Sequence, residues 1–102
     1  MSKYYVYIMA SKRNGTLYIG QTNNLVERVC AHKKGTASVF TKKYNVKNIV
    51  YYEKHNDAEK ALVREKQMKK WNREWKLRLV EEVNPSWKDL FNGITGSPPT
   101  RG

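Results

Sequence analysis

The 102-residue sequence predicts an α+β domain, a small three-stranded antiparallel β-sheet flanked by helices in the order β-β-α-β-α-α. Three observations lead there. An aromatic and β-branched run at residues 3–9, KYYVYIM, is followed by Asn14-Gly15 and a second such run at 16–21, TLYIGQ, which is the pattern of a hairpin. A third strand-like run, VKNIVYYE, occupies residues 46–53. Each of the last two runs leads to an asparagine with a glutamate three residues on, Asn24/Glu27 and Asn56/Glu59, the pattern that opens a helix.

The elements follow in order. The first two strands pair antiparallel through the Asn-Gly turn, since both residues tolerate positive φ. Helix one starts after Asn24, buries Leu25, Val26 and Val29, and stops at Gly35. Residues 36–45 read as a basic loop with Thr41, Lys42, Lys43 and Tyr44. After the third strand, helix two runs from Asn56 to about Trp71 with Ala58, Ala61, Leu62 and Met68 inward. Helix three spans 73–82 and turns Trp75, Leu79 and Leu77 to the core. Pro85 ends it, and Ser86 can cap a last short turn with Trp87 and Leu90. One domain over residues 1–92 is expected, and residues 93–102, GITGSPPTRG, have the composition of a disordered tail.

Composition narrows the function. The apolar runs are too short to span a membrane, and the N-terminus has no secretory pattern. Cys30 is the single cysteine, so no internal disulfide forms and a reduced, cytoplasmic setting is expected. No Cys/His cluster has zinc-ligand spacing. The net charge of +11 is uneven. Residues 1–52 hold nine Lys/Arg against one acid, Glu27, whereas residues 53–102 hold eleven against eight. A first half short of acids, with bases interleaved among tyrosines, is the footprint of a polyanion binder, foremost nucleic acid. Lys12, Arg13, Lys33, Lys34, Lys42, Lys43 and Tyr44 are the candidates for contact with it.

Several residues do not fit a plain core. Glu65 falls four after Ala61 and three before Met68, on the inward stripe of helix two. A carboxylate there needs a cation, either a Lys/Arg partner or a metal. Arg28 and His32 share one face of helix one and can both reach a phosphate near the sheet, or form an ordinary solvated face. Tyr7 and Tyr18 lie on paired strands, where tyrosines usually pack. No Ser/His/Asp set, phosphate-binding loop or dinucleotide fingerprint competes with this group.

These motifs resemble the GIY-YIG endonucleases. The first triplet is Tyr5-Val6-Tyr7 and the second Tyr18-Ile19-Gly20; Arg28 follows in LVERV, His32 in AHKKG and Glu65 in VREKQMKKW. The match covers residues 3 to about 91. It is nearest to the small stand-alone bacterial members, which share the segments seen here as Arg64–Trp71 and Asn84–Leu90, and the domain is also similar to the N-terminal domain of excinuclease C. Tyr5 stands where the family name has glycine, and Val39 stands before Phe40-Thr41 where glycine is frequent. The resemblance implies a metal-dependent DNA endonuclease. Glu65 would be the only protein ligand to a single Mg²⁺ or Mn²⁺ ion, and Arg28 would hold the phosphate. Tyr7 would act as base with Tyr18 orienting water and phosphate, although the sequence does not separate their roles. His32 would help at the phosphate or the base. Tyr18 is then placed at the site, and Gly20 lets the backbone or the substrate come close. Nicked, flapped or branched DNA, in repair or recombination, is the expected substrate. A catalytically silent nucleic-acid-binding module of the same fold is the alternative, and a protein-interaction subunit using the Trp-rich helices ranks third. The oligomeric state is open.

Overall fold

The run of tyrosines, valine and isoleucine near the N-terminus becomes the middle strand of the molecule. The computed structural model describes residues 3–95. Strand β1 (Tyr4–Ala10) lies between β2 (Leu17–Thr22) and β3 (Asn48–His55), and both pairings are antiparallel, in the sheet order β2-β1-β3. The helices are α1 (Leu25–Lys34), α2 (Val39–Lys43), α3 (Ala58–Lys70), α4 (Arg73–Val83) and α5 (Phe91–Thr95). The expected three-stranded antiparallel α+β architecture is therefore present, with two further short helices.

At the hairpin only Asn14 takes positive φ, at 56°. Gly15 is needed for room instead: a Cβ there would meet Ser11 Oγ at 2.3 Å and Lys12 Cγ at 2.8 Å. Alternation along β1 splits the core in two. Val6, Ile8 and Ala10 join Ile19, Val50, Ala61, Met68, Val80 and Trp87 on the face covered by α3 and α4. Tyr7 and Met9 join Leu25, Val29, Val46 and Ile49 on the face covered by α1, with Leu90, Phe91 and Ile94 packed against them. Asn24 and Gly35 bound α1 as expected, the asparagine side chain accepting from Glu27 N–H and the glycine at φ 80°.

Several expectations are corrected. Ser38 caps a helical turn within 36–45, so that segment is not all loop. The third strand begins two residues later than expected and extends to His55, because Val46 is tied to the Thr41 carbonyl instead. The cap of α3 is Asp57, not Asn56; its carboxylate accepts from the N–H groups of Glu59 and Lys60. Only Ala61 and Met68 of the expected α3 stripe are buried, because α3 rests on the sheet along a narrow line and leaves Ala58 and Leu62 outside. Trp75 is 53% exposed, since Val80, with Leu77 and Leu79 beside it, supplies the buried side of α4. Val26 also lies at the surface. The turn expected after Ser86 is not helical; the last helix starts only at Phe91, whose N–H donates to Asp89 Oδ1. That helix continues through Gly93 to Thr95; the rest of the expected tail lies outside the described residues.

Candidate active site

Register brings the two tyrosine motifs together. Tyr7 lies directly opposite Gly20. Its ring takes the volume a side chain at Gly20 would fill, as a Cβ there would meet Tyr7 Oη at 2.6 Å and Cζ at 2.7 Å. Tyr18, two residues before Gly20 and so on the same face, has its ring 6.3 Å from that of Tyr7. The glycine is therefore what lets two phenols share one face of a hairpin. It admits Tyr7 and not primarily an approaching backbone or ligand.

Helix α1 starts three residues after β2 and carries Arg28 and His32 one turn apart. His32 is fully buried, its ring 5.7 Å from Tyr7 and 5.1 Å from Tyr18. Its Nε2 lies 3.0 Å from Tyr7 Oη and its Nδ1 3.1 Å from Thr41 Oγ1. Proton counting favours one direction for this chain. The Tyr7 hydroxyl has one acceptor among the described residues, His32 Nε2. The Thr41 hydroxyl donates to the Ser38 carbonyl at 3.3 Å. All three protons are satisfied when Tyr7 donates to Nε2 and Nδ1–H donates to Thr41; the other tautomer leaves the Tyr7 proton without an acceptor. Burial, followed by the Arg28 charge, pulls His32 down from 6.5 to about 4, so it is neutral around pH 7. Burial, followed by the charges of Tyr18 and Glu65, pushes the Tyr7 phenol up, with Arg28 opposing.

Arg28 and Glu65 are thus both within electrostatic reach of the Tyr7 oxygen. Arg28 is exposed, and its side chain makes no hydrogen bond or ion pair among the described residues. Glu65 projects from the inner side of α3 with only 14% of its side chain exposed. Lys69, one turn on, pairs with its Oε2 at 2.9 Å, and Oε1 has no protein donor among the described residues. No group of three or more His, Cys, Asp or Glu that could hold a metal occurs among the described residues. A lone carboxylate with one free oxygen does not suit a structural zinc site, but it does fit a hard divalent cation that keeps most of its waters.

The remaining candidates separate by surroundings. Lys12 and Arg13 are exposed at the hairpin turn, and Lys34 is exposed at the end of α1. Lys42 and Lys43 are exposed on α2, with Lys43 Nζ 5.4 Å from the centroid of the Tyr44 ring. Lys33 is otherwise engaged: it pairs with Asp89, donates to the Lys47 carbonyl at 3.1 Å and sits over Phe91. It clamps the C-terminal segment onto α1. His32, being buried, is turned to the Tyr7 hydroxyl. Sequence reasoning left out Thr41, Phe40 and Lys69 as site residues. The first two were hidden in a segment read as loop; the third had a signal in its i,i+4 spacing from Glu65.

A phenol pair across a hairpin, backed by a histidine and with an arginine and a carboxylate nearby, sits on one small α+β domain. Residues 3–78 match the GIY-YIG catalytic domain. The chain belongs to the GIY-YIG family, and membership implies an endonuclease-type function on a nucleic acid substrate. It is similar to UPF0213 proteins of Staphylococcus haemolyticus, at 37% identity, and of Staphylococcus saprophyticus, at 34%, each over 82 residues covering 80% of this chain and 99% of the relative. Its fold is also that of the solution NMR structure of a UPF0213 protein from Bacillus halodurans, with a TM-score of 0.54 at 23% identity over 88% of this chain and 95% of that one. Among the described residues, no helix is long and apolar enough to cross a membrane.

Proposed function

We propose that the protein is a metal-dependent DNA endonuclease in which Tyr7 receives the proton of the attacking water. The observation that carries this reading is the hydrogen bond from a buried Tyr7 to a neutral His32, with Arg28 and Glu65 both acting on the same phenol. A neutral phenol cannot accept a proton and stay neutral unless it passes its own on. Here water can give its proton to Tyr7 Oη while the Tyr7 proton moves to His32 Nε2, the imidazolium so formed keeping its Nδ1–H on Thr41. The water oxygen bonds to phosphorus, and the 3′ oxygen leaves. Arg28, whose side chain has no hydrogen-bond or ion-pair partner among the described residues, offsets the charge that grows on the phosphate. Glu65 would hold Mg²⁺ or Mn²⁺, which when bound supplies charge stabilisation at the scissile phosphate. Tyr18 orients water and phosphate beside Tyr7. Nicked, flapped or branched DNA remains the expected substrate, consistent with repair or recombination.

One observation favours the second reading, a binding module without catalysis: Lys69 already neutralises Glu65. A panel of labelled duplex, nicked, flapped and four-way DNAs, incubated with Mg²⁺, Mn²⁺ or EDTA, decides between them. Cleavage that needs metal and falls at least about 100-fold in Glu65→Ala supports the endonuclease. If wild type and variant bind alike and neither cuts, the protein is a binding module.

A further inference from the structure

We propose that the groove along the free edge of β2 is a nucleotide subsite. It holds one unpaired base of the substrate strand against Phe40 and Tyr18, with the adjoining phosphate at Lys69 and Lys76. The groove has a volume of about 290 Å³ and is lined by Leu17, Tyr18, Ile19, Phe40, Lys69 and Lys76. Its floor is an edge strand, since among the described residues β2 pairs only with β1. One wall is aromatic and comes from α2: the Phe40 ring lies 6.1 Å from Tyr18 and 4.9 Å from Tyr44. Two lysines also line the groove, Lys69 from α3, paired with Glu65, and Lys76 from α4, whose Nζ donates to the Lys69 carbonyl at 3.4 Å. No acidic side chain lines it. The carboxylate beside it, Glu65, is paired with Lys69.

A groove lined by aromatic rings and two lysines fits an aromatic base joined to a phosphate better than it fits an apolar peptide or a lipid chain. The rings are also open to a ligand, with Phe40 41% and Tyr44 45% exposed. Their exposure follows from how α2 is anchored: Thr41 is the buried residue of this five-residue helix, which leaves Phe40 and Tyr44 to face outward. Stacking on such a surface is tolerant of sequence, because every base presents a π-face. In an intact duplex both faces of each base are covered by its neighbours, so the groove selects a nucleotide that is already unpaired. The subsite adjoins the chemistry, since Tyr18 forms part of its wall and lies beside Tyr7. This inference rests on the nucleic-acid reading above and adds to it that the cut lies next to an unpaired nucleotide.

The test uses the full chain in EDTA, so that binding is read without cleavage. Fluorescence anisotropy would measure affinity for a blunt hairpin duplex, for the same hairpin with a single-stranded extension, and for that extension with abasic sites. Wild type is expected to prefer the extended hairpin by about tenfold or more, as expected for stacking, and to lose most of that preference with abasic sites. Phe40→Leu, which keeps an apolar side chain without the ring, should bind both hairpins alike. Phe40→Trp should keep the preference and so control for folding. Lys76→Gln should weaken binding of the extended hairpin. Equal binding of both hairpins by wild type, or an unchanged preference in Phe40→Leu, overturns the subsite and leaves the endonuclease reading standing. Preference for the extension without metal-dependent cutting does the reverse. Failure to bind any of the oligonucleotides overturns both.

Discussion

At Gly20 the cost of one methyl group can be read directly. Gly20→Ala would place a carbon 2.6 Å from Tyr7 Oη, inside a centre already closed by Tyr18 and His32. Overpacking of this kind costs about 1–3 kcal/mol, and here the atom displaced is the proposed base. The variant should unfold at lower urea and lose cleavage more than tenfold; wild-type stability and activity would sink the packing account. His32 makes a second prediction, in pH. Its pKa in the folded state, about 4, lies below the ordinary 6.5. The unfolded chain therefore takes up the proton first as pH falls. The stability that His32 contributes is complete above about 6.5 and is lost as pH drops through about 4. The difference is up to roughly 3 kcal/mol, from 1.36 kcal/mol per pKa unit. Urea midpoints compared near pH 7 and near pH 4.5 should shift less in His32→Gln than in wild type, where both also titrate the common carboxylates. Equal shifts would mean that His32 is not held neutral by the fold.

One bulge in the central pairing explains a whole segment at the scale of elements. The register of β1 with β3 jumps from Ile8↔Tyr51 to Met9↔Ile49, so Val50 is the extra residue. The segment after α4 takes up what the bulge frees. Asn84 Nδ2 donates to the Val50 carbonyl at 3.0 Å and to the Lys88 carbonyl at 2.9 Å. Asp89 Oδ1 accepts Ile49 N–H at 3.1 Å, and Leu90 N–H donates to the Ile49 carbonyl at 2.8 Å. The chain reaches these positions by turning at Trp87, which is buried at a φ of 56°. Asn84→Ala would strand the buried Val50 carbonyl and should cost about 1–3 kcal/mol in urea unfolding; a loss below about 0.5 kcal/mol would show that water replaces the amide. This is also where legibility in the sequence ends. Strands and long helices are local patterns, so the Asn-Gly hairpin, the Asn24 cap and the Gly35 stop could be read from neighbours in the chain. The inward direction of Glu65 could be read too, because Ala61 and Met68 share its stripe. The role of Asn84 could not, since its partner is 34 residues away across a bulge that no propensity marks. The same holds for His32: helical spacing put it beside Arg28, and only the fold of α2 over it, through Thr41, turned it inward to Tyr7. Trp75 misled for the opposite reason, because a large apolar residue on a helix need not face the core.

Across the molecule, the charge of +11 acts through where the lysines are held. Glu53 shows how locally the acids of the second half are used. Burial works against its charge, but hydrogen bonds from Arg64, Tyr51 and His55 hold its carboxyl below the usual range. That network also joins β3 to α3 at the residue before Glu65, and it leaves Glu53 no part in repelling a phosphate. In the basic half the lysines are not equivalent. Lys42 and Lys43 are exposed on α2, Lys43 over the Tyr44 ring and neither in an ion pair among the described residues, while Lys33 is spent on Asp89 and the Lys47 carbonyl. Counterion release turns this into a measurement, since each phosphate neutralised contributes about −0.9 to the slope of log K against log salt on duplex DNA. Measured in EDTA, Lys42→Gln and Lys43→Gln should each make the slope shallower by about one. Lys33→Gln should leave the slope unchanged and lower the unfolding midpoint instead, because it releases the C-terminal segment from α1. A slope that changes equally in all three variants would mean that the protein presents a diffuse positive field to the substrate, and that the clamp seen at Lys33 opens when DNA binds.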